Sequence, residues 1–128
     1  MRKVLFAVLV CAMAVVMTSC SGHPSTPRGV AEKSLNCAIK KDFKGFYDCY
    51  YYPKNRQDQK KHDIEMSEQY LEAYKSQFPV DYKFVSEDVN EDKGRASVSF
   101  EITYDDDRVR KETIWLKKEK DGKWYIRR

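Results

Sequence analysis

Hydrophobic residues recur in three different rhythms along this chain. Positions 4–17 are a continuous run without a charge or a proline, and they show no polar face. From Thr26 to Phe78 apolar residues return every three or four positions, the period of helices packed on a core. After Pro79 they return every second position, the period of half-buried strands.

Within the helical part, Thr26-Pro27 reads as a cap followed by proline at the first helical position, where its missing N–H costs nothing. Val30, Ala31, Ser34, Leu35, Ala38 and Ile39 then make one stripe. Lys41-Asp42 breaks it, with Asp42 placed to cap a short second helix carrying Phe43, Phe46, Tyr47 and Tyr50. Pro53 ends this pair, because the residue before a proline is pushed out of helical space. The tyrosine run 50–52 is expected to be core and water-excluding rim rather than a ligand platform. Residues 54–61 are wholly polar, a loop or a solvated helix start. A third helix is predicted from about His62 through Ile64, Ser67, Leu71, Tyr74 and Phe78, closed by Pro79.

The strand part is predicted over 82–89, 95–104, 109–118 and 124–126, separated by turns at 90–94, 105–107 and 120–123. Ala96, Val98, Phe100, Ile102 and Tyr104 alternate cleanly with polar residues. Asp121-Gly122 is a hairpin signal. Asp105-Asp106-Asp107 lacks the glycine and the distal glutamate of a calcium loop, which leaves a solvated turn. Three helices followed by four strands predict an α+β fold, with N-terminal helices on a curved antiparallel four-stranded sheet.

The first apolar run has another use. Arg2 and Lys3 precede it and small polar residues follow it, the pattern of an export signal, and it is shorter than the roughly 20 apolar residues of a spanning helix. Val16-Met17-Thr18-Ser19-Cys20 resembles the lipid-attachment box of bacterial lipoproteins, with Cys20 as the acylated first residue of the mature chain. That predicts a signal peptide at 1–19, a lipidated (palmitate-bearing) cysteine and tether at 20–25, and a domain at 26–128. Loss of Arg2 and Lys3 leaves 22 basic against 20 acidic residues, a net +2. So near a balance argues against nucleic acid as a partner. The expected location is the cell envelope, on the outer membrane facing the periplasm, since no acidic run follows Cys20. His23 in the tether is expected to be solvated, and His62 to face solvent or cap a helix. Cys37 and Cys49 could close a disulfide or stay as two buried thiols.

The Thr26-Pro27 entry, Lys41-Asp42-Phe43 and the terminal Asp121-Gly122-Lys123-Trp124-Tyr125-Ile126 together resemble small bacterial lipoproteins with a domain of unknown function. That group is similar to the nuclear transport factor 2-like, cystatin-like superfamily, and some members carry a lumazine-binding-like label. The resemblance implies a cone whose open end is a pocket or a dimer surface. The pocket side chains this chain offers are Tyr82, Phe84, Tyr104, Glu112 and Trp115. Enzymes of the superfamily place an aspartate, histidine or tyrosine inside the cone, whereas the strands here contain no histidine. Their best carboxylates are Asp88 and Glu112, and Arg110 beside Glu112 suggests an ion pair rather than an acid–base couple. The leading expectation is a non-catalytic envelope module that binds a small ligand or an envelope protein, without cofactor or metal. A cone enzyme of isomerase or hydrolase type, using Glu112 or Asp88 with Tyr104, is the competitor. A self-assembling module, dimeric through the sheet, is the third.

Overall fold

The computed structural model describes residues 22–128, so the leader, Cys20 and Ser21 lie outside the described residues. Thr26 starts the first helix as its side chain predicts, with Oγ1 accepting from Gly29 N at 3.0 Å. Helix α1 (Pro27–Lys40) buries Val30, Ala31, Ser34, Leu35, Cys37 and Ala38. It stops at Lys41, whose left-handed φ of 61° turns its N–H back toward the carbonyls of Cys37 and Ala38. That satisfies acceptors a helix end otherwise leaves open. Asp42 then caps α2 (Phe43–Tyr47), its Oδ1 accepting from Gly45 N at 3.1 Å.

The third helix departs from the predicted span. A 3₁₀ turn at Lys54–Arg56 leads into α3 (Gln57–Gln69), so the polar stretch is the helix start. Beyond Gln69 the chain passes through turns and a second 3₁₀ turn, Lys75–Gln77, instead of continuing to Phe78. No residue of α3 is fully buried. Polar side chains hold it in place: Tyr47 Oη meets Ser67 Oγ at 2.8 Å, Tyr52 donates to Asp63 at 2.5 Å, and Lys60 pairs with Asp48. With Tyr70 and Tyr74 about half exposed, the predicted stripe has no core to continue into. The chain gives up the helix so that Phe78 can stack on Phe43 at 5.7 Å and enter the sheet at Pro79.

Strands β1 (Pro79–Asn90), β2 (Arg95–Tyr104), β3 (Val109–Lys118) and β4 (Trp124–Ile126) form one antiparallel sheet in that order. The fold class is therefore α+β as the periodicity predicts. The turns use the residues their geometry requires: Gly94 at φ 61°, Gly122 at φ 81° and Asp107 at φ 69°. Ala96, Val98, Phe100 and Ile102 of β2 are all buried, and with Leu116, Trp124, Ile126, Val30, Ala31, Leu35 and Cys49 they make the core. β4 has only three residues, yet it is fastened on both sides. Ile126 pairs with Leu116, and its N–H donates to Cys49 O at 2.8 Å.

Edge strand β1 carries a bulge between Phe84 and Ser86 that alternation alone does not reveal. Phe84 lies opposite the buried Phe100, but after the bulge Ser86 faces Ser99 and Asp88 faces Ser97. Residues directly opposite in a sheet share a face. The extra residue thus moves Asp88 to the outer face, away from Tyr82 and Phe84.

Candidate functional site

A cavity of about 520 Å³ opens between the helices and the β3 side of the sheet. Its floor is Leu35 and Ala38 of α1 with Ile102, Ile114 and Ile126 of the sheet. Its wall is aromatic: Phe43, Phe46 and Tyr47 of α2, then Tyr50 and Phe78. Asp42 fixes this wall by holding α2 at an angle to α1, and the rings support one another. Phe46 lies 5.0 Å from Tyr47 and 5.4 Å from Tyr50. The mouth follows from the shortness of β4. That strand covers β3 only from Leu116 to Lys118, so Thr113 and Trp115, which belong to the outer face, still reach the rim.

Among the lining residues Glu112 is the sole acid. It lies opposite Phe100 in the β2–β3 register, which puts it on the inner face, half-buried. Tyr104 Oη donates to Glu112 Oε2. The guanidinium of Arg108 lies 5.2 Å from the Tyr104 ring and bonds Asp106 in the neighbouring turn. Arg110 faces solvent opposite Ile102 and is not the ion-pair partner of Glu112, so the expected Arg110–Glu112 pair gives way to Tyr104–Glu112.

Of the five pocket side chains read from the sequence, Tyr104, Glu112 and Trp115 meet at this cavity. Tyr82 and Phe84 do not. They pack edge-on against Phe100 at 5.5 and 6.1 Å, and the Arg28 guanidinium covers Phe84 at 3.6 Å, so α1 fills the space beside them. Asp88 is exposed at the opposite end of the sheet from Tyr104. The aromatic wall is what sequence reasoning missed. Its signal was the cluster between Phe43 and Tyr52, which the structure shows to be both packing and lining.

No disulfide joins Cys37 and Cys49, and both are buried thiols. Both sulfurs lie close to Gly45. Cys49 Sγ donates to Gly45 O at 3.6 Å, and Cys37 Sγ is 2.7 Å from where a Cβ on Gly45 would stand. Burial pushes the Cys49 thiol up to about 12, with only a partial opposing pull from Lys33. It is a poor nucleophile at neutral pH.

His23 is not solvated as expected. Its Nε2 lies 2.6 Å from Trp124 O and its ring 4.7 Å from Tyr125. Lys33 Nζ donates to Gly22 O at 3.1 Å. The tether thus docks on β4 and α1, beside a second hollow of about 420 Å³ whose other side holds Tyr51, Tyr52 and Lys60. His62 is exposed on α3. Near it, hydrogen bonds from Tyr52 and Gln59 outweigh burial and hold Asp63 below the usual carboxylate range, while burial and the Asp63 bond push Tyr52 up. Arg128 covers the Tyr52 ring at 4.4 Å and pairs with Asp63 Oδ2 at 3.5 Å, which ties β4's tail to α3.

No family model matches the chain, and no curated protein matches it. Solved structures do. One is a Campylobacter jejuni protein provisionally named an NTF2-like transpeptidase, with a TM-score of 0.52 at 14% identity over 80% of this chain and 97% of that one. Another is a SEC-C motif containing protein from Rhodopseudomonas palustris, with a TM-score of 0.55 at 15% identity over 82% of this chain and 79% of that one. At such identities the likeness shows the fold: this chain has an NTF2-like fold.

Proposed function

We propose that this chain is a lipid-anchored envelope protein whose domain binds a small organic ligand in the cavity between the aromatic wall of α2 and strand β3. One observation carries the reading: an open, largely apolar cavity of about 520 Å³ with a single Tyr104–Glu112 pair set into it. Ligand sites are commonly concave spaces of roughly 300–1,000 Å³, apolar apart from a few placed polar groups. The anchoring half rests on Arg2, Lys3, the apolar run 4–17 and the Ser19-Cys20 junction. An anchor at Cys20 sits three residues before His23, so it would hold the β4 end of the sheet close to the bilayer.

The test is native mass spectrometry of the chain released from membranes. A bound mass that disappears in the Glu112→Lys variant supports the reading, and a bare wild-type protein that also takes up no apolar probe sinks it. For the anchor, Cys20→Ala should move the protein from the detergent phase to the aqueous phase. Unchanged partition would refute lipidation at that residue.

The Tyr104–Glu112 pair also supports a second reading, proton transfer with Glu112 as base and Tyr104 as hydrogen-bonding partner. In that case Glu112→Gln abolishes turnover of the ligand found by mass spectrometry while leaving it bound.

A further inference from the structure

The charge and ring content of the cavity say more than its size, and this step rests on the ligand-binding reading above. Glu112 is a carboxylate set among Phe46, Tyr47, Ile114 and other apolar lining groups. Half-buried there, the carboxylate keeps an open side, and a ligand that covers that side must supply a partner in place of solvent. Tyr104 serves Oε2, while Oε1 takes no hydrogen bond from the described residues and is open to solvent in the cavity. Arg127, the only basic lining residue, does not compensate. It is exposed at the rim, and its backbone N–H is what the fold uses, donating to Trp115 O at 2.8 Å. Solvent and salt screen that exposed guanidinium.

The aromatic wall of the same cavity adds a second preference of the same sign. Phe46, Tyr47 and Tyr50 stand 5.0 to 6.0 Å apart, centroid to centroid, and line the same cavity. Aromatic faces carry partial negative charge and attract cations that come within about 6 Å. An anion would meet both Glu112 and these rings unfavourably, and a neutral hydrocarbon would leave Oε1 unpartnered. A divalent metal ion fits no better, since it needs several oxygen ligands and no group of three or more His, Cys, Asp or Glu converges among the described residues.

We infer that the cavity takes an organic monocation with an apolar body, its positive nitrogen against Glu112 and its body on the rings of Phe46, Tyr47 and Tyr50. Glu112 selects charge, the rings select shape, and Tyr104 holds the carboxylate in place.

Three probes of one shape separate charge from shape: benzyltrimethylammonium, its neutral isostere neopentylbenzene, and the anion phenylmethanesulfonate. They are titrated into the full chain in lipid nanodiscs, with empty nanodiscs as the blank. Binding is read by saturation-transfer NMR and by tryptophan fluorescence, since Trp115 stands at the rim. The cation should bind at least about tenfold more tightly than the neutral probe, and the anion should not bind. Glu112→Gln should cut that preference to the smaller part the rings supply, without weakening the neutral probe, and Glu112→Asp should keep it. Equal affinity for cation and neutral probe, or a preference that Glu112→Gln leaves undiminished, overturns the monocation inference while the ligand-binding reading stands. Failure of all three probes to bind overturns both. Preferential binding of the anion would assign the mouth to Arg127 and overturn the inference as well.

Discussion

Gly45 shows how little room the helical layer has. A Cβ there would stand 2.7 Å from both Asp42 Oδ2 and Cys37 Sγ, so the cap of α2 and the packing of α1 both depend on a missing side chain. Cys49 reaches the carbonyl of the same residue and behaves as a small buried hydrophobe. Its titration has a consequence for stability. Burial raises the folded-state thiol above its ordinary 9.0 to about 12, so the folded state keeps the proton after the unfolded state has lost it. The contribution is therefore complete below pH 9 and declines as pH rises from 9 toward 12. Urea denaturation between pH 9 and 11 should show the wild type losing up to about 1.4 kcal/mol per pH unit more than Cys49→Ala. Parallel slopes would mean that water reaches the thiol. Cys49 and Cys37 are legible from sequence as an interior pair, but only the tertiary structure decides that both stay thiols.

At the scale of elements, α1 and α3 are nearly the same length and differ in what holds them. α1 buries one face in the core, while α3 has no buried residue and rests on side-chain hydrogen bonds to Tyr47, Asp48 and Tyr52. Such bonds contribute only about 0.5–1.5 kcal/mol each. Local opening follows buried apolar contact. Amide hydrogen exchange should accordingly be fastest across 57–77 and slowest in α1 and β2, by at least about tenfold, and comparable protection of α3 would require a packing partner. The sequence signalled this poorly. Ile64, Ser67, Leu71, Tyr74 and Phe78 fit a helical stripe, but periodicity does not say whether a core lies beneath it. β1 misleads in a similar way, since its bulge leaves local composition unchanged and reverses the face of Asp88.

For the whole molecule, the two tryptophans mark the difference between what closes the fold and what borders the cavity. Trp124 is 2% exposed on a strand of three residues, while Trp115 is 57% exposed at the rim. Trp124→Ala removes a large side chain from the place where α1, the sheet and the docked His23 meet, and should cost roughly 3–5 kcal/mol. Trp115→Ala should stay within roughly 0.5 kcal/mol, as surface changes do. Thermal denaturation followed by far-ultraviolet circular dichroism measures both, and similar losses would show that β3's outer face is covered. Short β4 also creates the site. Its ladder ends at Leu116, with one further bond from Arg127 N–H to Trp115 O, and leaves Thr113 and Trp115 to border the mouth.

The sequence by itself determined the things that are local in the chain. Thr26 and Asp42 are caps because their oxygens reach N–H groups three residues on, and Gly94 and Gly122 turn because only glycine takes those angles freely. The alternation from Ala96 to Tyr104 fixes β2 as the buried strand because a strand has two faces and only one is apolar. These together are enough for the α+β order. Tertiary structure alone decided which residues meet across it. Glu112 and Tyr104 come together because a tight turn returns β3 along β2, and Tyr82 and Phe84 leave the pocket because α1 lies over them. Phe46 and Tyr47 become a wall because Asp42 redirects the chain. Each of those outcomes depends on how far apart two elements pack, a distance that no stretch of neighbouring residues encodes.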